Sequence, residues 1–398
     1  MSELEAFRES MRAFIAEHAP KSLYGTRRGR FEAYWGGRKA KPEADVKRWL
    51  DVARERGLTA PTWPREFGGG GLSGEHARIW DEELERLALP PPLVGVGLTM
   101  IGPTLLDYGT VEQQREHLPP IVRGEIRWAQ GYSEPGAGSD LASLSTRAVR
   151  DGDFFVINGQ KIWTTHADKS DFIFALVRTN PNVKKQLGIT FILIDMETPG
   201  VSTRPIDLIS GWSPFCQTFF EEVRVPAKNV VGPVDGGWTV AKALLNYERS
   251  MIGEAMSGDL ADGESELVAR ARRALGTPRG PLPDEMLRQE IAQAAMDIEC
   301  FALVIAGLQQ AAQKGQKPGP ESSTLKIVAS ELKQRRWELA VRVAGPEGLG
   351  WEGPNFDDRD LATTREWLRS RANTIEGGTS EIQLNIIAKQ VLGLGTKA

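Results

Sequence analysis

The sequence predicts an α+β protein in which one block of strands lies between two blocks of helices. Apolar residues recur at helical spacing up to about residue 125 and again from about residue 236, while the residues between them form short β-branched and aromatic runs separated by turn residues. No helices alternate with these strands, which argues against a doubly wound nucleotide-binding sheet. We therefore expect three domains, comprising residues 1–126, 127–235 and 236–398.

The individual elements follow from their patterns. Ser2 and Glu5 have the spacing of a capping box ahead of a helical apolar pattern, so we expect an N-terminal helix and not a signal peptide. Strands are expected at 154–157, 172–177 and 189–194. Helices are expected at 42–56, 75–90, 237–275, 284–314, 321–344 and 379–393.

Composition excludes several classes of function. The chain has 398 residues and a formal net charge of -4 with both signs interspersed, which argues against binding to nucleic acid or to an anionic membrane. Its two cysteines and four histidines form no metal-ligand spacing, so we expect no metal and no disulfide framework. No run of eighteen apolar residues occurs, and we expect a soluble cytoplasmic protein without membrane contact.

Two segments carry the chemistry. The stretch from Trp128 to Asp140 reads WAQGYSEPGAGSD, in which small residues let a ligand approach the backbone and serines offer hydroxyl groups. The stretch from Asn158 to Thr165 reads NGQKIWTT and places an aromatic ring beside two hydroxyls. Taken singly, the first is more typical of a turn, and Trp163 is more typical of a packed residue of a β domain.

Together the two segments resemble the acyl-CoA dehydrogenase family, and the resemblance runs along the chain. It implies an N-terminal helical domain, a middle β-barrel domain and a C-terminal four-helix bundle, with FAD as cofactor and an acyl-CoA as substrate. It also implies that the flavin is bound by Gln130, Tyr132, Ser133, Gly138, Ser139, Trp163, Thr164, Thr165, Gly378, Thr379 and Ser380.

The resemblance offers two positions for the carboxylate that removes the α-proton. Registering the loop on Gly378 puts Gly377 where some members carry that glutamate, and Glu376 falls one residue too early. Other members carry it immediately before an arginine on a helix, as Glu248 stands before Arg249. We expect Glu248 to be the base, with Glu376 as the alternative. The alternative explanation of Glu248 is a solvated carboxylate on the surface of a helix, without a catalytic role.

The remaining substrate contacts come from the same resemblance. Asn246, Tyr247 and Arg249 flank the expected base, Ser139 also faces substrate, and the amide of Gly377 donates to the thioester oxygen. A carboxylate suits this task where burial raises its pKa, because the α-proton is weakly acidic and the developing enolate needs hydrogen bonds.

The cofactor contacts from a neighbouring subunit are altered. Arg272 registers on an arginine of the family that reaches the flavin diphosphate, and Arg342 stands where the family has a glutamine, with Pro346 removing an amide donor. Two assemblies stay open, a homotetramer and a heterotetramer in which this chain is one subunit of a dehydrogenase for bulky or dicarboxylic acyl-CoA.

Other functions stay open as well. The same architecture also suits a flavin monooxygenase or oxidase, a non-catalytic partner subunit, or a helical protein without cofactor. We expect an electron-transferring flavoprotein as the oxidant, because the chain lacks the extra helical domain of larger acyl-CoA oxidases.

Overall fold

A computed structural model describes residues 2–26, 33–245, 267–277, 279–313, 319–320, 323–353, 356 and 358–395. The chain divides into two compact units. The first consists of Met1–Ile206 and Ser213–Tyr247, and the second of Asp207–Trp212 and Glu248–Ala398. The order of helices, strands and helices predicted from the sequence is confirmed.

The helices that precede the sheet form one part of the first unit. Helix α1 begins with the predicted capping box, in which Ser2 Oγ accepts from the Glu5 amide and the Glu5 carboxylate accepts from the Ser2 amide at 2.7 Å. This pairing satisfies backbone amides that have no partner within the helix. The described helices are α1 (Glu3–His18), α2 (Ala44–Glu55), α3 (Gly74–Arg86), α4 (Gly102–Tyr108) and α5 (Val111–Val122).

Three of these helices pack around buried aromatic rings. The ring centroid of Phe14 in α1 lies 6.1 Å from that of Trp49 in α2 and 6.2 Å from that of Trp80 in α3. All three side chains are buried. Burying a side chain the size of Phe contributes roughly 1.5–3 kcal/mol, so this cluster is a main reason why the three helices pack together.

A buried carboxylate joins α1 to α3. The side chain of Glu83 accepts hydrogen bonds from Arg8 at 3.0 Å, from Arg12 at 3.1 Å and from Arg86 at 2.6 Å. Burial alone would raise the pKa of Glu83, but the hydrogen bonds from Arg12, Arg86 and Arg8 outweigh it and lower the pKa to about 2. Glu83 therefore stays charged at neutral pH and holds three cations.

The middle of the chain folds into one curled seven-stranded sheet. The strands run in the order β1-β4-β2-β3-β7-β6, and β5 pairs with β4. Strands β4 and β5 are almost entirely buried, so they read as continuous apolar runs in the sequence. The strands are β1 (Trp128–Gly131), β2 (Arg147–Asp151), β3 (Phe154–Thr165), β4 (Phe172–Arg178), β5 (Ile189–Asp195), β6 (Val201–Ile206) and β7 (Phe215–Pro226).

The second unit is helical where the structure describes it. Residues 267–274 are helical, and four α-helices follow among the described residues. Leu287 and Ile291 of the first of these pack with Leu339 and Val343 of the second. The four helices are α6 (Glu285–Gln313), α7 (Ser323–Ala344), α8 (Asp358–Ser370) and α9 (Ser380–Ile386).

Helix α6 is unusually apolar. Its segment Glu285–Leu308 is long and apolar enough to cross a membrane by length and composition. A core helix of a soluble protein passes the same test, so one such helix is weak evidence for a membrane protein. Met286, Leu303 and Val304 of this helix are exposed. The absence of membrane contact expected from composition stays a prediction.

We predict that Glu83→Gln lowers the free energy of unfolding by roughly 1–3 kcal/mol at pH 7, because a neutral amide removes the buried anion that the guanidinium groups of Arg8, Arg12 and Arg86 share. The folded pKa of Glu83 lies below its ordinary value of 4.5, so its contribution is complete above pH 4.5 and is lost as the pH falls toward about 2. Urea titrations between pH 2 and pH 7 measure the difference. Exposed Glu75 on the same helix gives a matched control, Glu75→Gln. A difference in the free energy of unfolding between wild type and Glu83→Gln that does not change with pH would contradict the prediction.

Candidate active site

The glycine-rich segment forms a tight, open turn after β1. The amide of Glu134 donates to the carbonyl of Ala137 and the amide of Ala137 donates to the carbonyl of Glu134, each at 3.0 Å. Among the described residues, no heavy atom other than those of the glycine and its two chain neighbours lies within 4 Å of the position that a Cβ would take at Gly136 or Gly138. Ser139 is exposed beside them. The turn therefore presents its backbone and a hydroxyl to any ligand that approaches.

Trp163 projects from an irregularity in β3. The pairing of β3 with β7 shifts register between Lys161 and Thr164, and Trp163 between them has a φ of 61°. A left-handed conformation costs a bulky residue roughly 1–2 kcal/mol. The indole is 53% exposed and meets Phe215 edge-on at 6.2 Å. A strained backbone that displays a large aromatic ring is typical of a binding surface.

Two residues expected to bind the flavin direct their side chains into the core instead. Thr164 is fully buried, and its hydroxyl donates to the carbonyl of Cys216 at 2.7 Å and is 2.8 Å from the hydroxyl of Thr218. The ring of Tyr132 is buried edge-on against two phenylalanines of β4 and β5. The pairing of β3 with β7 fixes the orientation of Thr164, and packing against the two phenylalanine rings fixes that of Tyr132, so both residues offer a ligand their backbone.

The other predicted residues of this unit lie on accessible positions. Thr165 and Gln130 are partly buried at the ends of β3 and β1, and Ser133 is partly buried where its carbonyl accepts from the amide of Ile162 at 2.9 Å. This hydrogen bond joins the open turn directly to the strand that carries Trp163. The first unit thus brings together Gln130, Ser133, Gly138, Ser139, Trp163 and Thr165.

A buried ion pair lies beneath this surface and was absent from the predicted site. Lys161 Nζ is 2.7 Å from Glu134 Oε1, and both side chains are almost completely buried. Burial alone would raise the pKa of Glu134, but the charge and hydrogen bond of Lys161 outweigh it and lower the pKa to about 2. Burial lowers the pKa of Lys161 to about 8 against the opposing effect of Glu134. A lysine in the same alternating register as the inward-facing Phe155 and Ile157 is the sequence signal that reveals this pair.

In the second unit, the loop before α9 is a left-handed turn. Gly377 and Gly378 have φ angles of 65° and 92°, and a Cβ at Gly378 would lie 2.5 Å from Gln383 Nε2. The Thr379 hydroxyl accepts from the Ile382 amide at 3.2 Å and caps α9. Glycine is required at both turn positions because the backbone there favours residues without a Cβ.

The carboxylate of Glu376 is held on both oxygens. Arg369 donates to its Oε2 at 2.6 Å, and the Asn373 amide nitrogen donates to its Oε1 at 2.5 Å. Arg369 lies seven residues earlier in the chain, in the last turn of α8, and no local sequence pattern links the two residues. Glu376 is thereby fixed against its own unit.

Lys326 adds a buried charge near this loop. Its side chain is buried, and among the described residues no hydrogen-bond acceptor is found for its Nζ. Burial lowers the pKa of Lys326, and the carboxylates of Glu376 and Glu381 oppose that shift. Glu376 of the loop and Glu381 of α9 therefore act electrostatically on a buried lysine of α7.

The two arginines expected to reach a cofactor diphosphate make contacts within their own chain. Arg272 donates to the carbonyl of Gly280 at 2.8 Å, and Arg342 forms an ion pair with Glu290 of α6. Pro346 lies in the first turn of the short helix Gly345–Leu349. The predicted base Glu248, with its neighbours Asn246, Tyr247 and Arg249, lies outside the described residues.

Models of three protein-family domains match this chain in succession. Residues 1–125 match the N-terminal domain of acyl-CoA dehydrogenase, residues 129–223 match its middle domain, and residues 235–392 match its C-terminal domain. The three matches together span nearly the entire sequence.

Individual relatives agree with these models. The acyl-CoA dehydrogenase IpdE1 of Mycobacterium tuberculosis is 36% identical over 403 residues, which covers 100% of both chains. A solved structure named "Tcur3481-Tcur3483 steroid ACAD" is 30% identical with a TM-score of 0.81, covering 99% of this chain and 98% of that one. The ChsE4-ChsE5 complex from Mycobacterium tuberculosis is 28% identical with a TM-score of 0.74, covering 100% and 99%.

We predict that Trp163→Ala and Trp163→Gly both weaken flavin retention, because each removes the exposed ring beside the open turn. The two variants should differ in stability, since glycine relieves the left-handed strain that alanine keeps. We expect the free energy of unfolding of the Trp163→Gly apoprotein to be roughly 1 kcal/mol higher than that of the Trp163→Ala apoprotein. Flavin absorbance after gel filtration and urea titration measure the two effects.

Leu187 supplies a matched control for this prediction, because it is a large exposed apolar residue of the same unit. Leu187→Ala should retain flavin as the wild type does. Unchanged flavin content in both Trp163 variants would show that the indole packs against its neighbours and does not contribute to flavin binding.

Proposed function

Since this chain belongs to the acyl-CoA dehydrogenase family, we propose that it oxidises the α,β bond of an acyl-CoA thioester to the trans-2-enoyl-CoA, with Glu248 as the α-proton base. The family implies FAD, and the open turn beside the exposed indole of Trp163 fits a flat cofactor that carries phosphates. When bound, FAD supplies the acceptor for the hydride that leaves the β-carbon.

The state of Glu376 supports the choice of Glu248. A general base needs a free lone pair directed at the proton it removes, and a pKa that is raised by desolvation. Both oxygens of Glu376 accept hydrogen bonds, one from Arg369 and one from Asn373, so each oxygen is already directed at a donor of its own unit. We assign Glu376 to holding the loop in place.

The left-handed turn next to Glu376 has a separate task in this proposal. Removing the α-proton places negative charge on the thioester oxygen, and a preorganised backbone amide stabilises such charge without reorganisation. Gly377 supplies that amide, and Gln383 fixes the turn by donating to the Gly377 carbonyl at 3.3 Å. Glu248 takes the proton and Gly377 holds the oxygen.

We also propose an oxidant and a cellular location for this reaction. An electron-transferring flavoprotein reoxidises the enzyme, and the protein acts in the cytoplasm. Anaerobic bleaching of the flavin by an acyl-CoA separates this function from that of a monooxygenase or oxidase, which requires oxygen for its chemistry.

Two observations favour a heteromeric assembly over a homotetramer. The structural relatives include the ChsE4-ChsE5 complex and a steroid enzyme whose name joins two chains, and Arg342 forms an ion pair with Glu290 of its own chain. We propose that this chain works as one subunit of a heteromeric dehydrogenase for bulky acyl-CoA. Purification from the native host with mass determination of the complex tests it, and a complex of identical chains with full activity would exclude it.

We predict that Glu248→Gln retains flavin but loses at least about a thousandfold in turnover, as expected for the loss of a general base. Glu376→Gln should keep turnover within about tenfold, because its role is to hold the loop. Single-turnover flavin bleaching with straight-chain, branched and alicyclic acyl-CoA thioesters measures both. The opposite pattern, with turnover lost only in Glu376→Gln, would overturn the assignment.

A further inference from the structure

The ion pair of Glu134 and Lys161 connects three segments of the first unit. Each oxygen of Glu134 receives two donors, Oε1 from Lys161 at 2.7 Å and the Thr146 amide at 2.9 Å, and Oε2 from the Ser145 amide at 2.6 Å and hydroxyl at 2.8 Å. Lys161 also donates to the carbonyl of Tyr132 at 3.2 Å. The pair thus joins the end of β1, the start of β2 and the middle of β3.

Its location is unusual for charged groups. Lys161 occupies an inward position of β3, in line with the buried side chains of Phe155 and Ile157. Removing two charges from water is costly, and replacing a buried ion pair with neutral residues of similar volume is often harmless to stability. The stability of the sheet alone therefore does not account for a pair at this position.

The two surfaces predicted to contact the cofactor lie directly beside the pair. Glu134 is the first residue of the open turn that contains Gly136 and Gly138. Lys161 is two residues before Trp163, at the last regular position before the register shift. A displacement of either charged residue therefore moves the turn relative to the indole.

We propose that Glu134 and Lys161 are a positioning pair, which fixes the glycine-rich turn against Trp163 and thereby sets the affinity for flavin. The proposal rests on the flavin site of the proposed function. The pair touches neither cofactor nor substrate in this scheme, and it acts through the backbone of the turn and of β3. Positioning errors of about 1 Å are large enough to weaken a preorganised site substantially.

The decisive variant is the neutral pair Glu134→Gln with Lys161→Met. A glutamine has one accepting oxygen, so the amides of Ser145 and Thr146 cannot both keep their partners, while methionine fills the volume of the lysine stem. Flavin dissociation constants are measured by fluorescence on the purified flavoprotein, with any partner that co-purifies, at a temperature where circular dichroism shows every variant folded. We expect at least about a tenfold weaker affinity.

Glu83→Gln serves as the matched control, because Glu83 is another buried carboxylate of the first unit with cationic partners and lies among the helices. It should leave flavin affinity unchanged. Ser145→Ala removes one donor to Glu134 from an exposed residue and keeps the test informative if the neutral pair does not fold. For that variant we expect a loss of roughly threefold, in line with one missing hydrogen bond.

Wild-type affinity in the neutral pair or in Ser145→Ala would overturn the positioning role. Equal losses in the neutral pair and in Glu83→Gln would also overturn it, because they would indicate a general effect on folding. A wild-type protein that binds no flavin would refute the cofactor part of the proposed function together with this role. The choice of Glu248 as base is tested separately, since it is read from turnover at saturating flavin.

Discussion

The salt bridge between Glu134 and Lys161 is the interaction on which the geometry of the first unit's surface depends. Four donors converge on one buried carboxylate, and the lysine that balances its charge belongs to the strand that carries Trp163. Unpaired charges in the interior are far more costly than paired ones. The contacts that link the three segments through Glu134 and Lys161 therefore form or break as one unit. The open turn is therefore a rigid platform in spite of its glycines.

Carboxylates in this protein have different roles because their partners differ. Three arginines hold Glu83, a lysine holds Glu134, and Arg369 together with Asn373 holds Glu376. A residue in such a setting orders the structure around it. The proposed mechanism assigns the ordering of the loop to Glu376 and the removal of the proton to Glu248.

The sequence predicted the order of helices and strands, the capping box at Ser2 and the two segments that meet at the turn, because each has a local pattern. Side-chain directions near the site were harder to predict. A register shift in β3 turns Trp163 outward and Thr164 inward, and the pairing that produces it involves β7, some fifty residues later. The contact between Arg369 and Glu376 likewise depends on how a helix ends and a loop turns. Such features arise from tertiary packing, which residue spacing does not encode.

The left-handed turn also limits how this active site can change during evolution. A glutamate at position 377 would have to adopt a φ of 65°, which costs a residue with a Cβ about a kilocalorie per mole or more. A substitution that placed a carboxylate at this position would therefore strain the turn unless the backbone changed with it.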